Sequence, residues 1–198
     1  MTSISDSDLH ALVERVVRRT LGDSIRPAQQ PERSETKSNA KRAANPEGRV
    51  VALGADHGGF PLKEALKAQL AALGYSVVDC GANSTEAVDY PDFAYAVARL
   101  VSEGKAWRGI MVDGAGIGSA MAANKVPGVR AALCYDHATA TNSREHNDAN
   151  VLTLGAGLIG PNLAKQIVEV WLKTEFGGGR HAQRVNKIVE IEKRFLKE

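Results

Sequence analysis

Residues Val112-Asp113-Gly114-Ala115-Gly116-Ile117-Gly118-Ser119 constrain the fold of this chain more than any other stretch. They put a carboxylate on the turn between a buried strand and a glycine-rich helix start. Ile110, Met111 and Val112 precede the turn without alternation, as in a parallel strand covered on both faces, and the run from Ser119 to Lys125 reads as helix. Glycine at 114, 116 and 118 removes the β-carbons that would hold a ligand off the backbone. Several N–H donors are therefore expected to converge on an anion at the helix N-terminus, with Asp113 facing whatever binds there.

The same alternation runs through residues 49–198. Strands are predicted at Val50–Ala55, Ser76–Asp79, Gly109–Val112, Arg130–Cys134 and Val151–Leu154. Helices are predicted at Pro61–Leu73, Pro91–Glu103, Gly118–Asn124, Ala138–Arg144, Pro161–Lys173 and Ala182–Leu196. Short connections between them imply an α/β domain, a Rossmann-like three-layer αβα sandwich around a five-stranded parallel sheet, with ligands beyond the carboxyl ends of the strands. Gly54-Ala55-Asp56-His57-Gly58-Gly59 and the Asp113 turn both follow strands, so one rim is expected to carry both.

Two segments precede this domain. Over residues 1–22, Leu9, Leu12, Val13, Val16, Val17 and Leu21 fall on one face of an amphipathic helix, with Ser5 or Ser7 to cap it and Gly22 to end it. Residues 23–48 turn to Pro, Gln, Ser, Asn, Glu, Lys and Arg, the composition of a flexible, disordered tether. A helix this short is marginal alone and wants a partner surface.

A chain of 198 residues with 43% hydrophobic content accommodates one well-buried domain and an appendage. Its 25 basic and 23 acidic side chains are mixed along most of the sequence and give a net charge of +2, which argues against a nucleic-acid partner. No apolar run approaches the roughly 20 residues that span a bilayer, and the N-terminus lacks a secretion signal's hydrophobic block. A cytoplasmic protein with no membrane partner is expected. Cys80 and Cys134 lie far apart with no zinc-type spacing and read as free thiols, so no metal is expected.

Three polar clusters are expected to offer chemistry at that rim, Asp56-His57, Asp113 with its glycines, and Arg144-Glu145-His146-Asn147-Asp148, and a fourth, Gly177-Gly178-Gly179-Arg180-His181-Ala182-Gln183-Arg184, opens the C-terminal helix. Arg180 and Arg184, four apart, make a fork for a phosphate or carboxylate once a helix has begun. An anion clamp, two imidazoles and two carboxylates suit proton transfer on a small phosphorylated polyol without a metal or redox cofactor. Simpler readings stand beside each cluster: Asp56 as a cap, His146 as a hydrogen-bonded surface residue, Arg180 and Arg184 as solvated charges. The glycine loop followed by Asp136 also imitates part of a dinucleotide fingerprint, although Ser119 occupies its third glycine position.

Five ordered blocks resemble the ribose-5-phosphate isomerase B family, which includes the galactose-6-phosphate isomerase subunits. They are Gly-Ala-Asp56-His57-Gly-Gly-Phe, Val88-Asp89-Tyr90-Pro91-Asp92, Gly-x-Gly-Ile-Gly-Ser-x-Met-Ala-Ala-Asn124-Lys125, Ser143-Arg144-Glu145-His146-Asn147-Asp148-x-Asn150-Val and Gly-Gly-Arg180-His181-x-Gln-Arg184-Val, covering nearly all of 50–195. The resemblance implies cofactor-free aldose–ketose isomerisation of a sugar phosphate through an enediolate, in a homodimer or dimer of dimers whose sites are shared between subunits. Carried onto this chain, it implies that Asp56 and His57 bind the sugar and help open its ring, with His146 as acid on the ring oxygen. Asn147 and the backbone N–H groups of Gly114, Ala115, Gly116, Ile117 and Gly118 would hold the enediolate oxygens, and Arg180 and Arg184 the phosphate.

Three positions depart from that pattern. Many members of the family place a cysteine base where this chain has Asp113, a hydroxyl residue at Ala115 and a phosphate-binding arginine at Gly157; a glutamate base used by another branch corresponds here to Ser119. Asp113 is accordingly the expected base, and the glycine at 157 leaves room for a tetrose, pentose or hexose phosphate. Epimerisation at the same carbon, or an impaired sugar-phosphate-binding subunit, are the alternatives. The helix and tether of 1–48 resemble the encapsulation peptides that load enzymes into bacterial microcompartments, with residues 5–22 expected to dock on shell or cargo protein.

Overall fold

The computed structural model describes residues 48–196. The predicted helix over 1–22 and all but the last residue of the predicted tether lie outside the described residues. Five strands, β1 (Val50–Ala55), β2 (Ser76–Asp79), β3 (Arg108–Asp113), β4 (Ala131–Leu133) and β5 (Val151–Gly155), form one parallel sheet in the order β2-β1-β3-β5-β4. The helices are α1 (Phe60–Ala72), α2 (Tyr90–Ser102), α3 (Ile117–Ala123), α4 (His137–Glu145), α5 (Pro161–Lys173) and α6 (Gly179–Phe195).

Burial follows position in the sheet. The central strands β3 and β5 are buried at every residue and β1 at all but its first, whereas edge strand β2 alternates between exposed and half-buried. One layer packs Leu66, Leu70, Ile167 and Trp171 on the sheet, and the other packs Val97, Ala98 and Ala123. Proline in the first turn of α1, α2 and α5 occupies positions whose N–H groups have no helical acceptor. Asp136 forms a capping box with Thr139 at the start of α4, accepting the Thr139 N–H at 2.7 Å. The carboxylate that imitated a dinucleotide fingerprint is thus a helix cap.

α6 begins at Gly179, three residues before its predicted start, so Arg180 and Arg184 stand one turn apart on a single helix. β4 is shorter than predicted because the Arg130 N–H donates to the Asn150 side chain at 2.7 Å and not to a strand neighbour. At the same end of the sheet, the ends of α4 and α5 are locked by two guanidinium groups. Arg108, 2% exposed, donates to the carbonyls of Trp171 at 2.7 Å and Leu172 at 2.9 Å, while Arg144 reaches Ala149 O and the Asp148 carboxylate.

A second charged knot ties α1 to the end of β2. The fully buried Lys63 donates to Asp79 Oδ1 at 2.7 Å, Lys67 donates to Oδ2 at 2.5 Å, and the Gly81 N–H adds a third bond at 3.0 Å. Burial pushes the Asp79 carboxyl up, but the hydrogen bonds from Lys63, Lys67 and Gly81 outweigh it and bring it down to about 2. The folded value lies below the ordinary 3.8, so the stabilisation is complete above that pH and is lost as pH falls toward 2. Asp79→Asn should lower stability by about 2–4 kcal/mol at neutral pH, because Lys63 loses its main partner. Urea melts at pH 7 and pH 2.5 check this; a penalty equal at the two pH values would contradict it.

Candidate active site

From β1 the chain winds toward β2, and from β3 toward β5 and β4, so the order of strands switches between β1 and β3. Ligands of such sheets bind outside the carboxyl ends at that crevice. Asp56 follows β1 and Asp113 ends β3, and the Asp56 N–H donates to Val112 O at 3.1 Å. The rim predicted to carry both turns therefore does so. Asp56 is 8% exposed and its Oδ1 accepts the Gly59 N–H at 2.8 Å. His57 is exposed, and its Nδ1 lies 3.2 Å from the backbone of Val88. Two residues on, Tyr90 lays its ring against Gly118, where a β-carbon would sit 2.6 Å from the phenol oxygen. The Val88–Tyr90 segment is thus a third wall of the crevice.

Asp113 does not do what its sequence position suggests. It is 4% exposed, and both carboxylate oxygens are taken up by its own loop. Oδ1 accepts the N–H groups of Ala115, at 2.8 Å, and Gly116; Oδ2 accepts the Ser119 N–H at 3.2 Å and the Ser119 hydroxyl. Two carboxylate oxygens offer about four acceptor positions, and four donors fill them. The expectation of a free oxygen aimed at substrate is corrected: Asp113 fills part of the anion nest that the glycines create. The same bonds remove Ala115 and Gly116 from the expected set of enediolate donors. The N–H groups of Gly114, Ile117 and Gly118 take no acceptor among the described residues and stay open to a ligand.

The loop is gripped from below as well. Tyr135 donates its hydroxyl to Ala115 O at 3.0 Å, Thr153 donates to Gly116 O at 2.9 Å, and the Gly157 N–H donates to Gly114 O at 2.9 Å. Gly116 turns with φ +78°, and a side chain there would meet Leu133 at 2.4 Å, so glycine is required on two counts. Cys80 and Cys134 stand apart from this chemistry: burial raises both thiols, Cys80 to about 11.

The second group of expected residues lies elsewhere. His146 caps the C-terminal end of α4, and Asp148 and Asn150 hold Arg130 at the start of β4. These are the amino ends of the strands. β5 pairs Gly155 with Asp113 and Val151 with Gly109, so the two ends are separated by at least four residues, about 13 Å along the strands. The start of α6 joins His146 there: the rings of His146 and His181 stack with centroids 4.1 Å apart and planes 4° from parallel. Burial, with His146, Arg180 and Arg184 close by, holds His181 below the ordinary imidazole range. No hydrogen bond or ion pair among the described residues joins this cluster to the rim of the same chain.

Within the cluster one chain of bonds sets the His146 tautomer. Asn147 Nδ2 donates to Asn142 Oδ1 at 3.2 Å, so the Asn142 amide presents Nδ2 to His146 Nδ1, 2.8 Å away. Nδ1 then accepts, and Nε2 carries the hydrogen that an acid role needs. Sequence reading passed over Asn142, although it stands one helical turn before His146. It also passed over Ser119, Tyr135, Thr153 and His181 as parts of the machinery, although Ser119 and His181 sat inside motifs that drew notice. Beside the cluster, α6 and residues 124–132 enclose a groove of about 700 Å³ lined by Val129, Arg130, Asn147, Ile191 and Phe195.

Comparison with known proteins places this geometry. The Ribose/Galactose Isomerase family matches residues 51–188. Ribose-5-phosphate isomerase B of Escherichia coli is 46% identical over 144 residues, covering 73% of this chain and 97% of that one. D-erythrulose-4-phosphate isomerase of Pectobacterium atrosepticum is 45% identical over 139 residues, covering 70% and 91%. Among solved structures, ribose-5-phosphate isomerase B of Clostridium thermocellum superposes with a TM-score of 0.73 at 52% identity, covering 74% of this chain and 99% of that one.

The Asp113 network makes its own prediction. Asp113→Ala leaves buried N–H groups without an acceptor and should lower stability by about 2–4 kcal/mol, while Asp113→Asn, which keeps one acceptor oxygen, should lose roughly half as much. Chemical denaturation of the two variants checks the order; equal stability of wild type and Asp113→Ala would contradict the network.

Proposed function

Because this chain belongs to the Ribose/Galactose Isomerase family, we propose that it interconverts an aldose phosphate and a ketose phosphate in sites shared between two copies. It is a sugar-phosphate isomerase of the ribose-5-phosphate isomerase B type. One observation carries the shared site: the rim with Asp56, His57 and the open N–H groups, and the cluster with His146, Asn147, Arg180 and Arg184, sit at opposite ends of one parallel sheet. Each holds half of what the reaction requires. The rim offers donors for oxygen that becomes negative, and the cluster offers guanidinium groups for a phosphate dianion. In the proposed homodimer, or dimer of dimers, the cluster of one protomer closes the rim of its partner.

In this reading the His146 Nε2–H protonates the ring oxygen while Asp56 and His57 hold the sugar hydroxyls, and the aldehyde opens. Gly114, Ile117 and Gly118 N–H groups, with Asn147, stabilise the enediolate, and Arg180 and Arg184 grip the phosphate. The substrate is of the ribose 5-phosphate and ribulose 5-phosphate type. A tetrose phosphate is the second reading, favoured by Gly157, which presents no side chain where the family's phosphate-binding arginine stands. The relative from Pectobacterium atrosepticum, an erythrulose-4-phosphate isomerase, supports the same alternative.

We further propose that residues 5–22, outside the described structure, dock on microcompartment shell or cargo protein, with 23–48 as tether. Deleting residues 1–25 should preserve activity and abolish co-sedimentation with shell protein; retained co-sedimentation would refute the docking role.

For the shared site, co-expressed His57→Ala and Arg184→Ala chains give the decisive test. Random pairing makes half the dimers mixed, each with one intact site, so the mixture, assayed well below the wild-type KM, should recover about a quarter of wild-type activity although each variant alone keeps about a tenth or less. No recovery would place both residues in one chain's site. Alone, Arg180→Ala and Arg184→Ala should each raise KM at least about tenfold, the loss of one charge-assisted contact.

A further inference from the structure

We infer that Asp56, and not Asp113, is the base that moves hydrogen between C1 and C2 of the opened sugar. This deepens the isomerase reading and rests on it. The two carboxylates at the switch point differ in what they have left to give. Asp113 has four donors on its two oxygens. Asp56 has one, the Gly59 N–H at 2.8 Å on Oδ1, which fixes the plane of the carboxylate; Oδ2 accepts nothing among the described residues.

Gly58 keeps the space beside Asp56 open. A methyl group added to Gly58 would lie 3.5 Å from Asp56 Oδ1 and 3.9 Å from the Gly114 nitrogen, with nothing else among the described residues within 4 Å apart from residues 57–59. The space onto which that methyl group would project lies between the Asp56 carboxylate and one of the open N–H groups, so a ligand entering it has a base and an oxygen-binding donor on its two sides. No side chain occupies it because residue 58 is glycine. Any other residue there would fill it.

The proton balance closes without a further reactant. The Asp56 carboxylate takes the C2 hydrogen as a proton, the C2–H electron pair becomes the C1=C2 bond, and the carbonyl pair moves to O1, which faces the Gly114 N–H. O1 takes up a proton as O2–H releases one and C2=O forms. Asp56 then returns its proton to C1, giving the ketose and the free carboxylate.

The test uses the full chain with erythrose 4-phosphate, ribose 5-phosphate and glucose 6-phosphate in deuterated water, followed by NMR. Asp56→Asn keeps an oxygen that accepts hydrogen bonds from hydroxyl groups, so a residue that only binds sugar would tolerate it. As base, Asp56→Asn should slow exchange of the carbon-bound hydrogen at saturating substrate at least a hundredfold, and Asp56→Glu should restore part of it. Gly58→Ala, whose backbone is not left-handed, should melt as wild type does and lose at least tenfold in turnover by filling the space. A smaller fall in Asp56→Asn, or near-normal turnover in Gly58→Ala, overturns the assignment while leaving the isomerase reading intact. A wild-type protein that exchanges hydrogen on none of these sugars overturns the isomerase reading, and the base with it.

Discussion

One buried carboxylate organises the rim. Without the Asp113 side chain, the backbone between Gly114 and Ser119 would present a row of N–H groups converging on empty space, an arrangement costly to bury. Asp113 satisfies three of them and the Ser119 hydroxyl, and Tyr135 and Thr153 hold the carbonyls on the other side. What remains open at Gly114, Ile117 and Gly118 is a short set of donors in a fixed backbone. Donors that do not have to reorganise when charge develops on a ligand oxygen are the ones worth most to a reaction.

The parallel sheet then separates the two halves of the proposed site. Every strand of such a sheet delivers its following loop to one end, and every helix returns the chain to the other. Residues that follow strands, Asp56 and Asp113, meet at the carboxyl ends; residues that end helices, His146 and the segment leading into α6, gather at the amino ends. No adjustment of side chains closes a gap of about 13 Å. α6, which leaves Ile188, Ile191 and Phe195 exposed and carries Arg180 and Arg184, has the apolar surface through which a second copy would bring the two ends together.

Much of this was legible in the sequence because the signals for a doubly wound sheet are local and redundant. β1, β2 and α5 fall within the predicted bounds, and most remaining boundaries shift by one residue. The start of α6 was not legible, since Gly177-Gly178-Gly179 reads as a breaker while in the structure Gly179 is already helical. Asp113 was misread for a different reason. Its position identifies a carboxylate beside a nest of N–H groups, and the same placement serves a base facing outward or a cap facing inward. Only the rotamer decides, and Ser119, which supplies two of the four donors, lies six residues on, outside any familiar cap spacing. Topology also overturns the expectation of His146 at the rim: it precedes a strand, and what precedes a parallel strand lies at the end away from the ligand crevice.

Charge fixes the direction in which a phosphorylated sugar would lie. The rim places two carboxylates, Asp56 and Asp113, beside the crevice, and position 157 contributes no cation. A phosphate dianion pressed against that rim would meet like charge, at a cost of about 4 kcal/mol per contact near 4 Å at the effective dielectric of a protein surface. The carbonyl end has no such quarrel with the rim and gains the open N–H groups. Arg180 and Arg184 attract the other end, from a helix that belongs to the opposite face of the molecule. In the proposed homodimer the length of sugar that fits would therefore be set by the distance between one protomer's rim and its partner's α6. In the proposed shared site, selectivity among four-, five- and six-carbon phosphates would reside in how two copies of the chain approach each other, and only secondarily in the walls of either half.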